Sequence, residues 1–213
     1  MNILITAIGS MSADSVIKSI NKLGHTIIGC DIFPSEWIPT SLDVDFFYQI
    51  PKARDKNFIV AIDEICEKHV IDFIIPLTDP EVDVLNENIE YFKNKNVVIS
   101  ISNKNAIEIS RNKLKLQKYF NDSNLINTIP TLSYESIHSC DSIPLIAKKI
   151  NGRSSEGLRL IKHRNEIKNL NHKNYIFQPR IKGDIITVDF IRDAKSNTFS
   201  IPRRELIRTK NGA

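Results

Sequence analysis

Between residues 3 and 101 the chain repeats one rhythm, a short β-branched run followed by a segment with apolar residues at helical spacing. That alternation constrains the fold more than any other feature. A strand followed by an amphipathic helix buries both its faces in a parallel sheet layered with helices. ILITAI (3–8), TIIGCDI (26–32), DFFYQI (45–50), IDFIIPL (71–77) and VVISI (97–101) are the expected strands. Between them Val16, Ile17, Ile20 and Leu23 form one apolar stripe, Phe58, Ile59, Ile62, Ile65 and Cys66 a second, and Val82, Leu85, Ile89 and Phe92 a third. Residues 1–102 are therefore predicted to be a doubly wound, Rossmann-like α/β domain.

The rhythm then changes. Residues 103–121 have helical composition and carry Arg111, Lys113, Lys115 and Lys118, after which NDSNLINTIPT breaks the pattern, so 103–130 reads as a connector. Beyond it, SIPLIAKKI, LRLIKH, YIFQPRI, DIITVDFIRD and FSIPRRELIRT follow one another with a single short helix near 165–170, which is an α+β pattern with antiparallel pairing.

Within this second half, PLIAKKINGRSSEG (144–157) sets Lys148 at the end of an apolar run, ahead of a loop holding Gly152, Arg153, Ser154, Ser155 and Gly157. A compact ammonium beside backbone N–H and hydroxyl donors suits a polyphosphate. The order is not that of a P-loop, whose lysine follows its glycines at the head of a helix. A Gly-Ser turn closing a hairpin beside a solvated lysine pair accounts for the same residues.

A net charge of +4, spread without a long basic block, fits small anions better than nucleic acid. Three cysteines without CxxC spacing indicate neither a disulfide framework nor a zinc site, and point to a reducing cytoplasm. No segment approaches a membrane span. Five histidines lack HxxxH or HExxH spacing, and no nucleophile motif is present, so no metal ligand or covalent catalyst is assigned.

Two strand ends remain. The first strand runs into Gly9 and Ser10, and Asp31 ends the second about 20 residues on, where a dinucleotide-binding protein carries its ribose acid; the missing glycines disfavour NAD(P). Thr78, Asp79 and Glu81 sit at a helix start, where acids act as caps, and at a strand carboxyl end, where open sheets bind ligands. Gly9, Ser10, Thr78, Asp79 and Glu81 are the substrate-side candidates.

Taken in order, these segments resemble the front portion of an ATP-grasp enzyme, most closely proteins similar to the large subunit of carbamoyl-phosphate synthase. ILITAIGS, TIIGCDI, DFFYQIP and IPLTDPEVDVL resemble its pre-ATP-grasp domain, SRNKLKLQKYF its connector, and PLIAKKINGRSSEGLRLI its lid strand and Gly-rich loop. YIFQPRIKGDIITVDFIRD resembles its hinge. The resemblance implies a lid over 131–178 and the start of a third, incomplete subdomain over 179–213. It puts the phosphate lysines on Lys113 and Lys148, adenine recognition on Gln178 with the backbone near Arg180 and Ile181, and a ribose contact on Asp184, since the usual acid position is Ile185. Arg203 and Arg208 are the weaker candidates for gripping an acyl-phosphate or carboxylate.

The family's magnesium ligands lie on strands beyond the hinge, and this sequence stops at Ala213. The expectation is that the complete protein is an ATP- and Mg2+-dependent carboxylate-amine ligase and that this piece alone is inactive. A non-catalytic nucleotide-binding module is the alternative. Strands left without a partner sheet also favour a homodimer.

Overall fold

The computed structural model describes residues 1–123, 126–137, 143–153, 155–170, 174–193 and 195–207. They form two compact units, Met1–Ile107 and Glu108–Ala213.

In the first unit β1 (Asn2–Thr6), β2 (Thr26–Asp31), β3 (Phe46–Gln49), β4 (Phe73–Ile75) and β5 (Val98–Ile99) pair in parallel in the order β3-β2-β1-β4-β5. The helices are α1 (Ala13–Asn21), α2 (Phe58–His69), α3 (Asp79–Glu87) and α4 (Ile89–Asn94). Pleating sends alternate residues of each strand to opposite faces, so Leu4, Ile28 and Ile74 pack against Phe58, Ile62, Leu85 and Phe92 of α2 to α4. Ile3, Ile5 and Ile27 pack against Ala13, Ile17 and Ile20 of α1. Helices on both faces, as the alternating sequence requires, leave the central strands dry.

Two details differ from the sequence reading. Leu23 lies past the end of α1 and is 70% exposed, because the chain turns there toward Gly24 (φ 72°). The third stripe is carried by two helices, parted at Asn88, whose side chain bonds back to the Val84 carbonyl at 2.8 Å.

The connector is also two helices, α5 (Lys104–Arg111) and α6 (Lys113–Ser123). Asn112 parts them. Its Oδ1 accepts the Leu114 and Lys115 amides, both at 3.0 Å, which starts a new helix and fixes Lys113 at its first turn.

In the second unit β6 (Leu145–Lys149), β7 (Arg159–Ile161) and β8 (Tyr175–Pro179) form an antiparallel sheet in the order β7-β6-β8. Leu132 bridges to Phe177 on its far side. One face buries Leu145, Ala147, Ile161 and Phe177 with Ile137 and with Ile167 from the 3-10 turn Arg164–Asn169. β9 (Ile186–Arg192) and β10 (Thr198–Arg204) pair antiparallel as a separate two-stranded ribbon, exposed along its whole length.

Phe58 is fully buried in the larger core of the first unit. Phe58→Ala is expected to cost about 3–5 kcal/mol, read as a lowered urea midpoint for the purified chain.

Candidate functional site

The strand order reverses between β1 and β4, and in open parallel sheets the crevice at such a point, beyond the strand carboxyl ends, is where ligands bind. Loop 7–12 leaves β1 there and Thr78 leads from β4 into α3. Ala7 takes the left-handed conformation (φ 50°) and its carbonyl accepts the Ser10 amide at 2.9 Å, making the tight turn without a glycine. Asp31 is buried, and its two oxygens accept the Gly9 amide at 2.8 Å and the Phe33 amide at 3.0 Å. The acid that the sequence offered as a ribose ligand thus braces the protein's own loops. A methyl group at Gly9 would lie 3.1 Å from Asp31 Oδ2 and 3.4 Å from Ile38, which explains this glycine by packing.

Across the reversal, Glu81 is buried, and its Oε2 accepts the Thr78 amide at 3.2 Å and the Thr78 hydroxyl at 2.7 Å, the return half of a capping box. Burial pushes the Glu81 carboxyl above its ordinary range, and the Asp31 charge adds to this, while Thr78 and Thr6 oppose it. The Thr6 hydroxyl lies near enough to favour the Glu81 anion but falls outside hydrogen-bonding geometry. Gly9, Ser10, Thr78 and Glu81 therefore line two braced loops, with Asp79 exposed at the start of α3.

The second unit gathers the candidates for phosphate. In β6, Leu145 and Ala147 enter the core, so Ile146 and Lys148 face the other side of the sheet. Gln178 pairs with Ile146 and Ile176 with Lys148, which puts Lys148 and Gln178 on one face. Gln178 Nε2 donates to Thr131 Oγ1 at 2.8 Å; its Oε1 has no partner among the described residues. Lys113 is half-buried, and its ammonium donates to the Gly152 carbonyl at 2.6 Å and the Ile150 carbonyl at 3.4 Å. Desolvation lowers its pKa, and the charges of Lys148 and then Arg111 lower it further, so these cations lie close together.

The loop from 150 to 158 joins β6 to β7 as a hairpin, wrapped over a residue the sequence reading left as solvated. Methyl groups at Gly152 and Gly157 would each meet the Lys149 side chain at 2.8 Å, and Gly157 is left-handed (φ 71°). The Lys149 ammonium then pairs with Glu156 at 2.6 Å. Both glycines are thus explained by the lysine stem beneath them. Ser155 is also left-handed (φ 59°), and its carbonyl accepts the Leu158 amide; Arg153 is exposed. Ser154 lies outside the described residues.

Other candidates are occupied elsewhere. The Arg180 amide donates to the Pro144 carbonyl at 3.1 Å, continuing the β6–β8 ladder, and Ile181 is 66% exposed. Asp184 pairs with Arg204 at 3.4 Å. Arg203 makes a two-point contact with Asp189 across the ribbon, so gripping a substrate would require it to leave that carboxylate. Arg208 lies outside the described residues.

Two outcomes are expected. Gly157→Ala combines a strained φ with the Lys149 contact and costs about 1–3 kcal/mol. Lys149→Ala relieves only the contact, and since its exposed ion pair contributes about 0–1 kcal/mol, a double-mutant cycle read by thermal unfolding should return a coupling of about 1 kcal/mol. For Glu81, a pKa raised on folding means stability that is full at low pH and declines as pH rises from the unfolded value, about 4.3, through the folded one. Glu81→Gln lacks this decline, so the Tm of the wild type minus that of the variant should fall over that window and then level.

No curated protein matches the chain. Residues 3–100 match the family of PylC-like N-terminal domains, and residues 110–212 match the ATP-grasp domain family. Among solved structures, biotin carboxylase from Campylobacter jejuni, crystallised as a β,γ-ATP complex, superposes with a TM-score of 0.76 at 15% identity, over 98% of this chain and 52% of its own. N5-carboxyaminoimidazole ribonucleotide synthetase from Thermotoga maritima gives 0.68 at 17% identity, over 93% and 51%. L-amino acid ligase from Bacillus licheniformis gives 0.70 at 15%, over 93% and 48%. The chain spans about half the length of these structures. Residues 110–212 thus belong to the ATP-grasp domain family, and the parallel sheet followed by an antiparallel sheet with its lysine-bearing hairpin is similar to the fold of these structures.

Proposed function

We propose that the chain supplies the ATP-binding part of a ligase that activates a carboxylate as an acyl-phosphate and passes the acyl group to an amine. The observation that carries this reading is the gathering of Lys113, Lys148 and the 150–158 loop in one unit, with Gln178 on the Lys148 face. In it, Lys113 and Lys148 balance phosphate charge and the loop closes against the same phosphates. The Gln178 Oε1, which has no partner among the described residues, accepts from the adenine amino group. A carboxylate oxygen attacks the γ-phosphorus and ADP leaves; the amine then attacks the acyl carbon and inorganic phosphate leaves. The crevice between β1 and β4, with Gly9, Ser10, Thr78, Asp79 and Glu81, is the substrate side. Residues 103–130 connect, 131–178 form the lid, and 179–213 open the following subdomain. The finer likeness to carbamoyl-phosphate synthase rests on motif order alone.

Among the described residues no group of three or more His, Cys, Asp or Glu side chains could hold a metal, so they do not fit the Mg2+ that the family implies, and no step here runs through it. Also among them, no helix is long and apolar enough to cross a membrane. A homodimer through the exposed ribbon belongs to the proposal as well.

Calorimetric titration with ATP, AMP and NADH tests the assignment. ATP is expected to bind, and Lys148→Ala to weaken it about 10- to 100-fold through loss of a charged hydrogen-bond donor. NADH binding that is lost on changing Gly9, without ATP binding, would replace this reading with a redox one.

A further inference from the structure

Lys113 enters the second unit at the start of α6, held by the Asn112 cap, and makes three bonds to the beginning of the loop. Its backbone amide donates to the Ile150 carbonyl at 3.2 Å, and its ammonium donates to the Ile150 and Gly152 carbonyls at 3.4 and 2.6 Å. The far half of the loop is held differently, by the Lys149–Glu156 pair and by the Glu156 and Leu158 amides bonding to the Arg153 and Ser155 carbonyls. The first half is also held by the Ile150 amide on the Asn174 carbonyl at 2.8 Å and the Gly152 amide on the Lys149 carbonyl at 3.2 Å, so among the described residues the Lys113 ammonium is the side chain from outside the hairpin that bonds to it.

We propose that Lys113 is a positioning residue: its ammonium straps the first half of the 150–158 loop onto the start of α6 before any nucleotide arrives. A glycine-bearing loop loses much conformational freedom on ordering. A strap already made means that the phosphates meet a loop in place instead of one they must first order. Lys113 and Lys148 thus differ in task, since the strap is made by Lys113 from outside the hairpin, whereas Lys148 stands within the β6 strand itself. That the positioned loop serves phosphate binding rests on the nucleotide reading above; the strap itself is read without nucleotide, so the two fail separately.

Amide hydrogen exchange and trypsin cleavage after Arg153 test the strap on the purified full chain, with no nucleotide added. Lys113→Met is expected to speed exchange over 150–153 and cleavage at Arg153 about tenfold, with much less change at Glu156 and Leu158. Lys113→Arg, which keeps charged donors, should match the wild type. Wild-type exchange and cleavage in a folded Lys113→Met protein would overturn the proposal. Should circular dichroism show that variant unfolded, Lys113→Gln replaces it: exchange over 150–153 faster than wild type supports the strap, and unchanged exchange overturns it.

Discussion

An ammonium taken partly out of water must find oxygen acceptors, and in the second unit that requirement organises everything around the 150–158 loop. Lys113 meets it with two backbone carbonyls and Lys149 with the Glu156 carboxylate. Because charged donors make the stronger hydrogen bonds, these contacts fix a loop that contributes almost nothing to the apolar core. Lys113 carries a further strain, its proximity to Lys148 and Arg111. Like charges held close together raise each other's electrostatic energy, and a bound phosphate would lower it. The same geometry that holds the loop thus favours an anionic ligand.

The first unit solves a different problem with the opposite charge. At the carboxyl edge of its parallel sheet, the loops leaving β1 and β4 flank the point where the strand order reverses. Asp31 and Glu81 brace these loops from below, each buried and each accepting the donors of a neighbouring turn. Burying a carboxylate is costly, and the raised Glu81 pKa, due first to desolvation and then to the Asp31 charge, is its signature. The benefit is a pair of rigid loops whose remaining polar groups face outward.

Much of this was legible in the sequence because it depends on periodicity. β-branched runs located the strands of all three sheets among the described residues, stripes at helical spacing located the helices between the first five, and the capping role of Thr78 and Glu81 followed from their place at a helix start. The break at Asn112 was also signalled, since an Asn ahead of a fresh apolar run is a cap, but a basic helical stretch hid it. What could not be read depends on the path of a loop through space. Lys149 looked solvated because nothing in the string KKINGRSSEG says that the chain folds back over the lysine's stem. Asp31 stood where a ribose acid stands, and only the backbone amides pointing at it reveal its other use. Arg203 was separated from Asp189 by a turn whose register the sequence leaves open.

The fit of two glycines against one lysine stem also bears on how such a sequence can drift. As long as Lys149 stays, any side chain at position 152 or 157 collides with it, so those positions are frozen by a neighbour and not by a ligand. A lineage that shortened Lys149 would clear its Cε and Cγ from position 157, which stays bound by its backbone angle, and would leave position 152 still crowded by the Cβ of residue 149 and by the Glu156 and Lys149 carbonyls. Among homologues, then, positions 152 and 157 should both remain glycine even where residue 149 is no longer lysine.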